Sequence, residues 1–354
     1  MNRLVSIARQ SFKRDGPPQI VLFVTRRCNA HCKFCFYPPS KTPEMTLEEY
    51  DRLSQTIGRL HWVLVGGGEP FLRDDLGEIG LLFHRNAGVR YLQIPTNGSM
   101  PDRVENIVRQ ICPKAPDLQF VVSISVDDTD PARHDEVRGI PGCFDKAMAA
   151  MRLLQSLKKE FPNLGSACNM TFTAYNQDRF LDIYRQAESS FPVDTLSVGL
   201  VRGKTVCDDA GQGLDMEKYR RVHEYLSRSH KRYGFFRGLE QRLARAKDIV
   251  QREMIMEIKK HKRMPLPCLA GLKSLVILET GDIYPCEMLF DRKLGNLRDF
   301  DGDFSRFWQS PPAREFRQWK KTCHCTYECA IAQSIIFTPQ GFCRTLLAAM
   351  RKQD

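Results

Sequence analysis

Cys28, Cys32 and Cys35 stand three and two residues apart in the segment TRRCNAHCKFCFYPP. Thiolates are the usual protein ligands of iron–sulfur clusters. Three at this spacing bind three irons of a cubane and leave the fourth without a protein ligand, an arrangement built for reaction at the open iron. Zinc also accepts short cysteine spacings, but it would need a fourth local Cys or His, and His31 falls inside the loop between two of the thiols. A second set, Cys268, Cys286, Cys323, Cys325, Cys329 and Cys343, gathers toward the C-terminal end. The remaining Cys112, Cys143, Cys168 and Cys207 are isolated and read as small buried hydrophobes. Clustered cysteines in a reducing compartment point to metal rather than to disulfides.

A length of 354 residues predicts about two domains. With 42% hydrophobic and 27% charged residues, the composition is that of an ordinary globular chain. The sequence lacks the ~18-residue apolar run of a spanning helix, and the apolar core of MNRLVSIARQSFKRDG is too short for a signal peptide. The expectation is therefore a cytoplasmic protein. Over the first two hundred residues, β-rich runs at 20–25, 62–66, 89–95, 118–126, 167–174 and 195–200 alternate with helical stretches, the pattern of βα units around a parallel sheet. Helices are expected near 76–86, 103–112, 144–159 and 179–189, and Thr46-Leu-Glu-Glu49 opens another with a capping box.

Chemistry-bearing residues recur where these strands end. Gly66-Gly67-Gly68-Glu69-Pro70 follows the second, Thr96-Asn97-Gly98 the third, and Ser123-Ile-Ser125-Val-Asp127 the fourth. Alternation places Ser123, Ser125 and Asp127 on one face. Taken with the cysteine loop, this ordered set resembles the radical SAM superfamily. The resemblance implies an α/β fold, a partial (β/α)6 TIM-like barrel, whose cluster [4Fe–4S] takes S-adenosylmethionine at the open iron. It also implies that Phe34 lines the adenine. Gly67 and Gly68 would let the backbone approach the ligand, and Glu69 would receive the methionine ammonium. Asn97, Ser123, Ser125 and Asp127 supply further polar contacts to the cofactor. Arg138, in the loop HDEVRGIPGCF, would grip its carboxylate with a guanidinium fork. Asn169, Thr171 and Arg202 are further candidates to face the cavity.

Toward the C-terminal end, Cys268-x12-Gly281-x4-Cys286 resembles the first half of a SPASM/Twitch domain, with Gly281-Asp282 as its hairpin turn. The second half, Cys323-x-Cys325-x3-Cys329, departs from that pattern because its upstream pair is compressed. The resemblance implies one auxiliary [4Fe–4S] cluster on Cys268, Cys286, Cys325 and Cys329, with Cys323 as substitute ligand and zinc as the competing metal. Three regions follow: a core over 18–202, a loop and basic helical segment over 203–264, and the auxiliary domain over 265–345.

The implied activity is reductive cleavage of S-adenosylmethionine to a 5′-deoxyadenosyl radical that abstracts hydrogen. A one-electron donor such as flavodoxin or ferredoxin is required, and net oxidation through the auxiliary cluster makes the enzyme an oxidoreductase. The expected substrate is small or anionic: a sugar, a phosphorylated metabolite or a lipid-linked molecule. Maturation of a ribosomal peptide is the alternative, and a zinc-dependent nucleic-acid binder the alternative of another class. Charge bears on the choice: of the net +11, residues 218–264 hold 15 Lys/Arg against 5 Asp/Glu. That segment is read first as a solvated helix face, and otherwise as a surface for an anionic partner, peripheral contact with lipid headgroups included. Since no nucleic-acid module accompanies the charge, nucleic acid is set aside. Within the segment Leu239, Leu243, Ala246, Val250, Met254 and Ile258 form one apolar stripe, assigned to core packing.

Overall fold

Strand β1 (Gln19–Thr25) is apolar at nearly every position and buried along its length, as a strand covered on both faces must be. The computed structural model describes residues 16–37, 42–228, 238–319 and 323–350. Five further strands run parallel to β1, each reached through helix: β2 (Trp62–Gly67), β3 (Tyr91–Thr96), β4 (Gln119–Ser125), β5 (Leu164–Phe172) and β6 (Thr195–Leu200). The connecting helices are α1 (Leu47–Thr56), α2 (Leu76–Ala87), α3 (Pro101–Ile111), α4 (Pro131–Arg138), α5 (Cys143–Leu157) and α6 (Phe180–Ser190). The capping box on α1 is complete, with Thr46 and Glu49 each satisfying the other's backbone N–H. Past β6 come α7 (Met216–Leu226) and α8 (Gly238–His261). Strands β7 (Ser274–Ile277), β8 (Asp282–Tyr284) and β9 (Gly295–Asn296) follow, then α9 (Phe304–Trp308), α10 (Pro311–Gln318), α11 (Glu328–Phe337) and α12 (Pro339–Met350). Among the described residues no helix is long and apolar enough to cross a membrane.

The nine strands among the described residues make one sheet, ordered β6-β5-β4-β3-β2-β1-β7-β8-β9. The α/β fold with its parallel sheet is as expected. The auxiliary region does not form a sheet of its own, because β7 pairs parallel with β1 from Gln19↔Ser274 onward. The hairpin β7–β8 turns at Gly281, whose φ of +81° suits glycine. Thus β1, an edge strand in a six-strand reading, has a neighbour on each side, and its free amides are covered.

Four local expectations change. Strand β5 begins three residues earlier than expected, since pairing of Leu164, Gly165 and Ser166 with β4 overrides their weak strand preference. Residues read as a loop after β4 form α4: Asp130 accepts the Ala132 and Arg133 N–H groups, Pro131 occupies the first turn, and Gly139 closes the helix at φ +63°. In the apolar stripe Ala246, Val250, Met254 and Ile258 are buried, but Leu239 is 61% exposed. Cys112, Cys143 and Cys168 are buried as expected; Cys207 is half-buried, because its loop lies against the cysteine loop instead of in the core.

At the end of β2, Gly67 and Gly68 are packed against β1's continuation. A Cβ on Gly67 would stand 2.2 Å from the Thr25 carbonyl oxygen, and one on Gly68 would stand 2.3 Å from that of Arg27. Gly68→Ala is therefore expected to lower the unfolding free energy by about 1–3 kcal/mol. Gly199→Ala, where nothing lies within 4 Å of the new methyl, should stay within about 0.5 kcal/mol of wild type. Urea denaturation of the two variants checks this, and equal stabilities would refute the close approach.

Candidate functional site

Thr25 ends β1, and the loop carrying Cys28, Cys32 and Cys35 has no regular structure to fix it. Three neighbouring segments hold it by main-chain hydrogen bonds. From the end of β2, Gly68 N–H donates to Thr25 O and Glu69 N–H to Arg27 O, both at 2.8 Å. His31 and Lys33 N–H donate to the last carbonyls of α4, those of Arg138 (2.9 Å) and Val137 (3.0 Å). Following β6, Val206 and Cys207 N–H donate to Cys35 O and Lys33 O, each at 2.8 Å. Gly139 is needed beside α4, since its Cβ would stand 2.8 Å from His31 O. The loop itself tightens where Cys35 N–H reaches Cys32 O at 3.1 Å.

Beneath the loop lies a buried ion pair. Arg138 donates from Nε (2.7 Å) and Nη2 (2.6 Å) to Asp127, with the two side chains 9% and 3% exposed. Its remaining Nη1 reaches Cys32 Sγ at 3.7 Å, and its guanidinium lies 5.1 Å from the centre of the Phe34 ring. The fork expected to grip a ligand carboxylate is committed to Asp127. Asp127 in turn accepts the Thr171 N–H at 2.8 Å, so Thr171 positions the pair through its backbone. Asn169 turns to Ser197, whose hydroxyl it accepts.

Glu69 is almost completely buried and accepts N–H groups from Phe71 (3.2 Å) and Asn97 (2.7 Å), tying the ends of β2 and β3. Burial pushes its carboxyl up to about 7 against the pull of those donors. A cation beside it would restore its charge, which suits an ammonium. The Ser123 hydroxyl is buried with no hydrogen-bond partner, and Ser125 is half-buried at the strand end. Asn97 also donates to Asn29 (2.8 Å), and Asn29 to Ser99 (2.9 Å). Sequence reasoning missed Asn29 and Ser99; the polar residue directly after Cys28 was the available signal.

The thiols fit a metal-bound role. Burial pushes Cys28 up to about 11, with Ala30 N–H opposing and the fields of Glu69, Cys32 and Cys35 adding to the shift. Cys32 is raised by burial too, against the field of Arg138. The three are mutual electrostatic neighbours, yet among the described residues no three ligand-type side chains close to single-ion spacing.

Cys268, Cys286, Cys323 and Cys325 line a second cavity of about 120 Å3, with Ala270 and Met288 beside them. Cys286 is pushed up to about 12, by burial first and then by the fields of Cys325 and Cys323. Cys329 packs in the same apolar cluster but has Glu287, Arg202 and Tyr327 for its electrostatic neighbours. Cys343 is exposed on α12. Of the thiols expected to ligate here, Cys268, Cys286 and Cys325 thus share the cavity with Cys323, while Cys329 faces Arg202.

Arg202 joins the two regions. Its guanidinium reaches Glu287 (3.0 Å) and Glu328 (3.1 Å), next in sequence to Cys286 and Cys329. It lies 5.5 Å from the Phe36 ring centre and 4.8 Å from that of Tyr327. The second Glu328 oxygen accepts the Leu200 N–H at the end of β6.

Comparison with known proteins bears on this geometry. Residues 22–187 match the family model described as the radical SAM superfamily, and residues 268–330 match SPASM, an iron–sulfur cluster-binding domain. The AdoMet-dependent heme synthase of Oleidesulfovibrio alaskensis is 25% identical over 92% of this chain and 86% of its own length. That of Nitratidesulfovibrio vulgaris is 27% identical over 89% and 85%. Among solved structures, Streptococcus suis SuiB bound to precursor peptide SuiA has the same fold, with a TM-score of 0.59 at 16% identity over 90% of this chain and 70% of that one.

Breaking either ion-paired arginine cluster should be measurable. Asp127→Asn leaves Arg138 buried without a counter-charge and is expected to cost about 3–5 kcal/mol. In the double variant with Arg138→Met much of that loss should return; simple additivity in urea denaturation would show that the two are uncoupled. Arg202→Gln is expected to cost about 3 kcal/mol and to release iron from the C-terminal cysteines more readily than from Cys28, Cys32 and Cys35. Iron counts after timed chelator exposure decide this, and equal loss from both sites would contradict it.

Proposed function

This chain belongs to the radical SAM superfamily and carries a C-terminal SPASM domain, and from that premise we propose that it abstracts hydrogen from an anionic, carboxylate-bearing tetrapyrrole. The enzyme uses a [4Fe–4S] cluster, S-adenosylmethionine and auxiliary iron–sulfur binding, and needs a one-electron reductant; flavodoxin or ferredoxin is proposed for that role. One observation carries the substrate reading. Relatives that align over about nine-tenths of this chain are AdoMet-dependent heme synthases. The net charge of +11 is of the sign that attracts an acidic substrate. Likeness to the peptide-bound SuiB lies at the level of fold and does not select a peptide.

Cys28, Cys32 and Cys35 would hold the radical cluster, and Cys268, Cys286 and Cys325, with a fourth cysteine, one auxiliary cluster. Bound there, a reduced cluster would supply the single electron for reductive cleavage of S-adenosylmethionine, the chemistry that makes hydrogen abstraction possible. The chain's own residues then have separable tasks. Glu69, buried and short of a counter-charge, receives an ammonium. Ser123 offers a buried hydroxyl whose partner the ligand supplies, and Ser125 a second one at the strand end. Asn97 and Asn29 keep the ends of β1 and β3 in register. Arg138 and Asp127 fix the cysteine loop, and Phe34 is held in place under the guanidinium. Arg202 sets the auxiliary region against that loop.

The test is 5′-deoxyadenosine formation by anaerobically reconstituted, dithionite-reduced protein. A panel of carboxylate-bearing porphyrins, free and iron-loaded, is compared with peptides and sugar phosphates. A porphyrin is expected to raise the rate about tenfold or more over the substrate-free rate, about 1.4 kcal/mol of barrier, with a matching mass change in the porphyrin. Changing Cys28, Cys32 and Cys35 to Ala should abolish the product. Stimulation by a peptide or sugar phosphate but by no porphyrin would overturn the substrate assignment.

A further inference from the structure

Helix α12 reverses the usual order of an amphipathic helix. Its buried positions are the small residues Gly341, Thr345 and Ala348. Large apolar side chains point outward: Phe342 is 50% exposed, Leu346 38%, Leu347 56% and Met350 69%. Their spacing of four, one and three puts them on one face. Ile336, at the end of α11, is exposed as well. Since α12 packs inward through small residues, core formation does not explain its outward ones. A cluster of exposed large apolar residues marks a docking surface.

Charge around this face selects its partner. The ion pair of Arg344 with Glu257 (4.0 Å) sets the first half of α12 beside the last turns of α8. There Lys260, Lys262 and Arg263 are exposed. At the other end, Arg242 Nη2 donates to Ala349 O at 3.3 Å, which brings the start of α8 and its exposed Leu239 next to Met350. The α12 segment itself contains Arg344 and no acidic residue. An apolar stripe is thus bordered by cations at both ends, the chemistry of a helix lying in the interface of an anionic bilayer. We infer that α12 docks this enzyme onto a membrane surface rich in anionic lipid, with Phe342, Leu346, Leu347 and Met350 entering the headgroup boundary. A protein partner or a second copy of the chain would want the same apolar residues but gives no reason for the cationic border.

The experiment is flotation of the reconstituted full chain with vesicles of phosphatidylcholine alone and with about 30% phosphatidylserine. The protein is expected to float with the anionic vesicles, and less so as salt is raised. A Phe342→Ser/Leu346→Ser/Leu347→Ser variant should bind about tenfold more weakly. The replaced side chains point outward, so iron content and circular dichroism should match wild type. Lack of flotation with either vesicle would overturn the inference, as would equal binding to both. So would a wild-type dimer that becomes monomeric in the variant, since that result assigns the face to a second copy.

Discussion

The buried pair of Asp127 and Arg138 is the interaction on which the site depends. Three separately folded pieces meet there: the end of β4, the end of α4 and the loop bearing Cys28, Cys32 and Cys35. In that low-dielectric setting an arginine fork on a carboxylate has fixed geometry as well as energy. Helix α4 is thereby locked in angle, and its last carbonyls become rigid acceptors for His31 and Lys33. A loop without secondary structure acquires the order of a helix end.

The same device occurs on the other side of the loop. Phe34 and Phe36 flank Cys35, and each lies under a guanidinium, Arg138 over the first and Arg202 over the second. Each arginine is in turn held by carboxylates, Asp127 in one case and Glu287 with Glu328 in the other. Two cation–π stacks, each anchored by an ion pair, pinch the third cysteine between the barrel and the auxiliary region. A third tie is made by Glu279, which accepts from both Arg26 and Tyr37 across the β1–β7 seam.

Local sequence carried much of this. Cysteine spacing and the glycine run before Glu69 depend on neighbours in the chain, and both were legible. The partners of the charged residues were not. Nothing near Arg138 indicates that Asp127 rather than a ligand would take its fork, because the pairing follows from how α4 swings back. Helix α4 was itself hidden, its low apolar content giving no stripe, though Asp130-Pro131 marked its start. Among the C-terminal cysteines spacing alone favoured Cys329, whereas the cavity gathers Cys323 with the other three. Cys329 instead lies in the first turn of α11, beside Arg202 and Glu287, a placement that no spacing rule encodes.

The position of β1 has a consequence for how the enzyme is made. Its partner on one side is β2, near in sequence, but on the other it is β7, and the tie from Arg26 to Glu279 spans 253 residues of chain. Contacts of such sequence separation close late in folding. During synthesis, which proceeds from the N-terminal end, the first cysteine loop therefore emerges long before the wall behind it exists. In the finished fold Cys28 and Cys35 are still exposed and Cys32 is half-buried, so the thiols stay within reach after β7 has docked. The thiol-bearing loop and the strand that backs it are thus separated in time by the topology of a single strand.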